Sequence, residues 1–60
     1  MTEKHIRLIE SQLPEGERID RMYRAFEGDI RVITRDAAGR ETRYTIIYNP
    51  ADDSVTIKRF

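Results

Sequence analysis

The fold of this 60-residue chain is decided by residues 29–48, which read DIRVITRDAAGRETRYTIIY. Polar and apolar side chains alternate with a period of two on both sides of the central DAAG, a pattern typical of β-strands. Asp36 to Gly39 fit a type I turn, with aspartate in the first position and glycine in the left-handed position of a three-residue hairpin loop. The stretch therefore predicts a β-hairpin in which Asp36 pairs with Arg40.

The register of this hairpin follows from the turn. It predicts three pairs on one face, which are Thr34 with Thr42, Val32 with Tyr44 and Ile30 with Ile46. On the other face, Arg35 lies opposite Glu41, which is a favourable cross-strand pair. The turn chemistry and the apolar register therefore predict the same hairpin.

A third strand, Ser54 to Phe60, is predicted after a turn over Asn49 to Ser54. Pairing Tyr48 with Val55 continues the apolar face across this strand. The resulting apolar face consists of Ile30, Val32, Tyr44, Ile46, Tyr48, Val55 and Ile57. Helices that cover this face would complete a two-layer fold.

The N-terminal segment predicts a helix from Glu3 to Gln12, capped by Thr2 and ended by Pro14. Its apolar stripe has helical spacing and consists of Ile6, Ile9 and Leu13. Glu3 and Arg7 form an i,i+4 pair in the favourable order.

Residues 17–27 admit two interpretations. On a helix ended by Gly28, one stripe collects the apolar residues Ile19, Met22, Tyr23 and Phe26. On a strand closed by a turn at Glu27 and Gly28, the same residues divide between two faces. We predict the helix, which gives an α+β fold of two N-terminal helices packed on a three-stranded antiparallel β-meander (ααβββ). The alternative is one helix with a four-stranded antiparallel sheet (αββββ).

Composition limits the class of protein. Sixty residues, with 11 basic and 11 acidic side chains and no cysteine, predict one small domain over residues 1–60 that has no disulfide. A core of this size is marginally stable, so assembly into a homodimer is an expected source of further stability. No apolar run is long enough for a signal peptide or a membrane span, so we expect a cytoplasmic protein that does not contact membranes.

No catalytic, metal-binding or cofactor-binding residue is predicted. His5 is the only histidine, and without cysteine it has no partner for a metal site, so we interpret it as a partly buried structural residue. Asp52 and Asp53 are interpreted as turn residues, because the alternating oxygen ligands of a calcium loop are missing. The aromatic residues Tyr23, Phe26, Tyr44 and Tyr48 are predicted to lie in the core.

The sheet face opposite the apolar one is the candidate site, and we call it the second face. Its centre is apolar and its border basic, and its candidate interaction residues are Arg31, Ile33, Arg35, Arg43, Thr45, Ile47, Lys58 and Phe60. A solvated antiparallel face normally carries polar residues throughout, so the two isoleucines and the phenylalanine require an explanation.

Three interpretations of the second face remain open. The arginine stems could cover the isoleucines, so that the face is merely solvated. The face could bind protein, most simply a second copy of this chain in a two-fold homodimer. It could instead bind nucleic acid weakly, although zero net charge and a single aromatic side chain argue against this.

The sequence therefore predicts a non-enzymatic protein–protein interaction module that self-associates, with weak nucleic-acid binding as the alternative and no evident small-molecule substrate. In size and composition the chain resembles small proteins of bacterial and phage genomes, and no motif assigns it to a family.

Overall fold

The computed structural model describes residues 2–60, which form one helix and four strands. The elements are α1 (Glu3–Gln12), β1 (Arg18–Arg24), β2 (Ile30–Arg35), β3 (Glu41–Asn49) and β4 (Ser54–Arg59). All four strands lie in one antiparallel meander sheet in the order β1-β2-β3-β4, and α1 packs on one face. The α+β class is confirmed. The arrangement is the αββββ alternative, so the prediction of two helices on three strands is wrong.

The reason for this error is a β-bulge in β1. Ile19 pairs with Thr34 and Met22 with Val32, and the register shifts between Ile19 and Arg21. The extra residue at the bulge puts Ile19 and Met22, three positions apart, on the same side of the sheet. A spacing of three is the signature of a helix in an uninterrupted pattern, so the bulge makes a strand resemble a helix.

Two of the aromatic residues on the supposed helical stripe lie outside the core. Tyr23 is 42% exposed, and Phe26 is fully exposed in the turn between β1 and β2. Gly28 has a φ of +96° in this turn, and its N–H donates to the Ala25 carbonyl at 2.9 Å. Tyr48 is also half exposed, whereas Tyr44 is buried. The prediction of a core position is therefore right for Tyr44 and wrong for the other three.

The hairpin between β2 and β3 has the predicted register. Ile30 pairs with Ile46, Val32 with Tyr44, Thr34 with Thr42 and Arg35 with Glu41. In the turn, the Asp36 carboxylate accepts the N–H groups of Ala38 and Arg40, both at 2.9 Å. These bonds to the ionised form, with the Arg40 N–H first, hold the pKa of Asp36 below its ordinary value. The predicted β3–β4 register is confirmed as well, with Tyr48 opposite Val55.

The core lies between α1 and the three strands β2, β3 and β4. Its buried centre consists of Ile9, Val32, Ile46 and Val55, and partly buried apolar side chains pack around it. The predicted bounds of α1 are confirmed, and Thr2 is its N-cap residue. No helix among residues 2–60 is long and apolar enough to cross a membrane.

Gln12, at the end of α1, covers part of the β4 edge. Its side-chain amide donates to the Val55 carbonyl at 2.7 Å and accepts the Ile57 N–H at 3.1 Å. One side chain thus satisfies two backbone groups that a further strand would otherwise bind. The β1 edge is protected differently, by its bulge and its charged side chains.

Glu17, just before β1, satisfies two polar groups at the other end of the core. Its carboxylate accepts the hydroxyl of Thr34, which is fully buried, at 2.7 Å and that of Tyr44 at 2.8 Å. Burial and the neighbouring Glu17 raise the pKa of Tyr44, because both disfavour the phenolate.

We expect Glu17→Ala to lower the free energy of unfolding by about 1–3 kcal/mol, because two hydroxyls lose their acceptor in a partly buried site. Urea denaturation measures the effect. Glu17→Gln keeps an acceptor oxygen and should lose less, and Glu15→Ala, in the exposed part of the same connection, should change stability little. Equal losses in Glu17→Ala and Glu15→Ala would contradict the assignment.

Candidate functional site

The second face carries the predicted interaction residues, and none of the described elements packs on it. Arg31, Ile33 and Arg35 come from β2, and Arg43, Thr45 and Ile47 from β3. Lys58 comes from β4, and Phe60 follows it, held by a bond from its N–H to the Arg43 carbonyl at 3.2 Å. Cross-strand pairing brings these residues to one side, with Arg31 beside Thr45 and Thr45 beside Lys58.

Ile33, at the centre of this face, is only 5% exposed although α1 packs on the other side of the sheet. Its cross-strand neighbours are Arg21 and Arg43, and Arg31 and Arg35 flank it along β2. Long arginine stems can cover apolar surface while their charged ends remain in water, which accounts for this burial. Ile33 is therefore a covered residue, and it is not available for a direct contact with a partner.

Arg35 of the predicted site and Arg21 of β1 are neutralised by carboxylates. Arg35 contacts Glu41 at 2.7 Å and Asp20 at 3.5 Å, and Arg21 contacts the same two carboxylates at 3.5 Å and 2.6 Å. Asp20 occupies the bulge of β1, so the bulge also places this acid on the second face. These four residues form a network of two arginines and two acids with no net charge, and we call it the upper part of the second face.

Arg31 is held between an acid and an aromatic ring. Its guanidinium contacts Glu27 at 3.2 Å and lies over the Phe60 ring, 4.7 Å from the ring centre. This is the distance of a cation–π contact. Arg31 therefore covers one side of Phe60, and the ring remains 56% exposed.

The rest of the second face stays open. Ile47 is 49% exposed, and Arg43 and Lys58 have no carboxylate within 4 Å in the described chain. Ile47 lies opposite Thr56, and Phe60 lies beside Arg43, so the Thr45–Lys58 pair separates the two apolar side chains. We call this accessible part of the predicted site, on β3 and β4, the lower part of the second face.

A second cluster, which the sequence did not reveal, is centred on Asp53 in the β3–β4 turn. Its carboxylate accepts bonds from Tyr48 at 2.8 Å, His5 at 3.0 Å and Lys4 at 3.1 Å. The bonds from Tyr48, Lys4 and His5, in that order of importance, hold the pKa of Asp53 at about 2. Asp53 has a φ of +57°, a left-handed conformation that aspartate tolerates better than most residues. The bond to the ionised Asp53 also raises the pKa of Tyr48.

His5 links this cluster to the start of α1. The Thr2 N–H donates to His5 Nδ1 at 3.3 Å, which places the proton of a neutral imidazole on Nε2, facing Asp53. The Thr2 hydroxyl also lies 3.1 Å from Nδ1. The interpretation of His5 as a buried structural residue agrees with this position, since its exposure is 9%.

The sequence of hydroxyl, imidazole and carboxylate has the connectivity of a nucleophile triad, and such a site also requires a cavity for substrate. Two of the depressions in the described surface are well formed. One of about 380 Å³ is lined by Gly16, Arg18, Arg35, Asp36 and Ala37. The other, of about 240 Å³, is lined by Ile6, Met22, Tyr23, Arg24 and Ile30. Thr2, His5 and Asp53 line neither of these two, and the bonds from Lys4 and His5 to Asp53 tie α1 to the β3–β4 turn.

Within residues 2–60, no three histidine, aspartate or glutamate side chains converge on a point where they could hold a metal ion. No family model matches the chain, and no curated protein or solved structure matches it either.

We expect the Asp53 cluster to make stability depend on pH between about 4 and 2. Because the pKa in the folded chain is about 2, below the ordinary value of 3.8, the carboxylate stabilises the fold above pH 4. This contribution is lost as the pH falls through the folded pKa. Urea midpoints measured across this range should fall less steeply for Asp53→Asn than for the wild type.

The Asp53→Asn variant tests the charge rather than the turn, because asparagine tolerates the left-handed conformation as aspartate does. Asp52→Asn is the matched control, since its retained oxygen can still accept from Ser54. A wild-type slope in Asp53→Asn would show that other carboxylates cause the acid sensitivity.

Proposed function

We propose that this chain is a non-enzymatic protein–protein interaction module that self-associates through the second face. The observation that carries the proposal is the half exposure of Ile47 and Phe60 on a sheet face that no described element covers. Burying apolar surface contributes about 25 cal/mol per Å², so two such side chains favour contact with a second apolar surface. A cytoplasmic location is part of the same proposal.

Two arginines of the second face are already paired within the chain. Arg31 and Arg35 already pair with acids of the same chain, so these two arginines add little repulsion when two copies approach. Among the described residues of this face, Arg43 and Lys58 contribute the uncompensated positive charge, which opposes a contact between two identical faces and limits its strength. A two-fold axis through the lower part of the face would place Ile47 and Phe60 of each copy against those of the other.

The size of the face sets the expected strength of this contact. Four strands spaced about 4.8 Å apart and about six residues long give a sheet plane of roughly 400 Å² per copy. Two copies then bury roughly 800 Å², which is below the usual 1,200–2,000 Å² of stable complexes. The proposed dimer is therefore weak and depends strongly on protein concentration.

The alternative is weak binding of nucleic acid to the same surface. Arg43 and Lys58 lie beside Phe60 without acidic partners within 4 Å in the part of the chain described, and cations next to an exposed ring suit a single strand. The opposing observation is that Arg31 already lies over one side of that ring. Affinity for single-stranded oligonucleotides that falls steeply with salt would favour this alternative.

Ile47→Lys separates the two functions. An added positive charge in a contact between two identical faces should weaken self-association at least tenfold, whereas it should strengthen binding to phosphates. Sedimentation equilibrium measures association in the Phe26→Ala background, which removes the exposed ring of the β1–β2 turn as a second contact, and fluorescence anisotropy with a labelled oligonucleotide measures binding.

Ala37→Lys is the control, because it adds the same charge in the exposed β2–β3 turn. Its association constant should stay within about twofold of the wild-type value. Unchanged association in Ile47→Lys would reject the proposed homodimer, and oligonucleotide binding that tightens in Ile47→Lys but not in Ala37→Lys would favour the alternative.

A further inference from the structure

The β1–β2 turn presents an aromatic side chain that the proposed function does not use. Phe26 is 105% exposed relative to an open chain, and it is the most exposed large apolar residue described. The turn beneath it is ordered by two backbone bonds, from Ala25 to Asp29 at 2.7 Å and from Gly28 to Ala25 at 2.9 Å. A hydrogen-bonded turn thus holds a phenyl ring out in water, and a partner that buried the ring would gain its apolar surface.

A groove of matching chemistry lies at the base of the same hairpin. We call it the α1–β1 groove; it has a volume of about 240 Å³ and is lined by Ile6, Met22, Tyr23, Arg24 and Ile30. It forms because α1 packs mainly over β4, which leaves the β1 side of the apolar face partly open. Ile6, Met22 and Ile30 are only partly buried there. A cavity of about 150 Å³ can already accommodate a benzene ring.

We infer that Phe26 of one copy inserts into the α1–β1 groove of a second copy, and that the second copy inserts its own Phe26 in return. Ring and groove belong to one hairpin, so a single two-fold axis can satisfy both contacts at once. The reciprocal exchange removes two exposed rings and fills two open apolar grooves.

The charges around ring and groove favour this occupant. Asp29 follows Gly28 in the turn and is an exposed acid, whereas Glu27 already pairs with Arg31 of its own chain. Arg24 lies at the groove. Inserting the ring would bring an acidic turn beside the other copy's arginine, whereas an acidic partner segment without the ring would leave the groove empty.

This contact goes beyond the proposed function, because it uses the opposite side of the sheet. Each buried phenylalanine contributes about 150–250 Å², so the contact is as weak as the proposed second-face dimer. If both contacts form, each copy binds two others, so assembly continues beyond a dimer. With one contact abolished, assembly would stop at the dimer.

The test uses Phe26→Trp, since the chain has no tryptophan of its own. The variant is made together with Ile47→Lys so that the second face does not contribute. We expect the emission to shift to the blue and iodide quenching to fall as the concentration rises. Emission typical of exposed tryptophan at every concentration, including those at which sedimentation detects dimers, would overturn the inference.

Phe26→Ala provides the second measurement, and it carries no risk to the fold because the side chain is fully exposed. In sedimentation equilibrium it should weaken association at least tenfold in the Ile47→Lys background. Phe60→Ala, which removes the same ring from the second face, should leave association in that background within about twofold. Association lost with Phe60→Ala but retained with Phe26→Ala would overturn the inference while leaving a second-face contact in place.

Discussion

The rest of the structure depends on the register of the β2–β3 hairpin, which the Asp36 turn fixes. Because side chains alternate along a strand, a slip of one residue would move Val32 to the solvent side. The Asp36 carboxylate prevents the slip by accepting two backbone N–H groups across the turn. The core beneath α1 and the apolar content of the second face are both consequences of this one register.

The apolar side chains on the two faces of the sheet are covered in different ways. On one face, α1 buries Ile9 against three strands, and the bonds of Gln12 and His5 hold the helix in place. On the other face, arginine side chains replace a second helix, and they bury Ile33 without any further element of secondary structure in the described chain. Such a cover is only as wide as the arginine stems reach, which is why Ile47 and Phe60 remain half exposed.

The sequence predicted the hairpin, the β3–β4 register and the bounds of α1, because each depends on local turn chemistry or on an uninterrupted period. It failed over residues 17–27, where the bulge at Asp20 gave a strand the spacing of a helix. It could not reveal the bond between His5 and Asp53, since 48 positions separate the two residues. It placed the residues of the second face correctly on one side, but it could not tell which isoleucine the arginines cover.

The central claim is that two copies meet at the lower part of the second face. The most direct measurement is an isotope-filtered NOE experiment on a mixture of labelled and unlabelled wild-type chains. The account predicts intermolecular NOEs between the Ile47 methyl groups of one copy and the Phe60 ring of the other. Their absence, at concentrations where sedimentation shows self-association, would contradict the account and would place the contact elsewhere on the molecule.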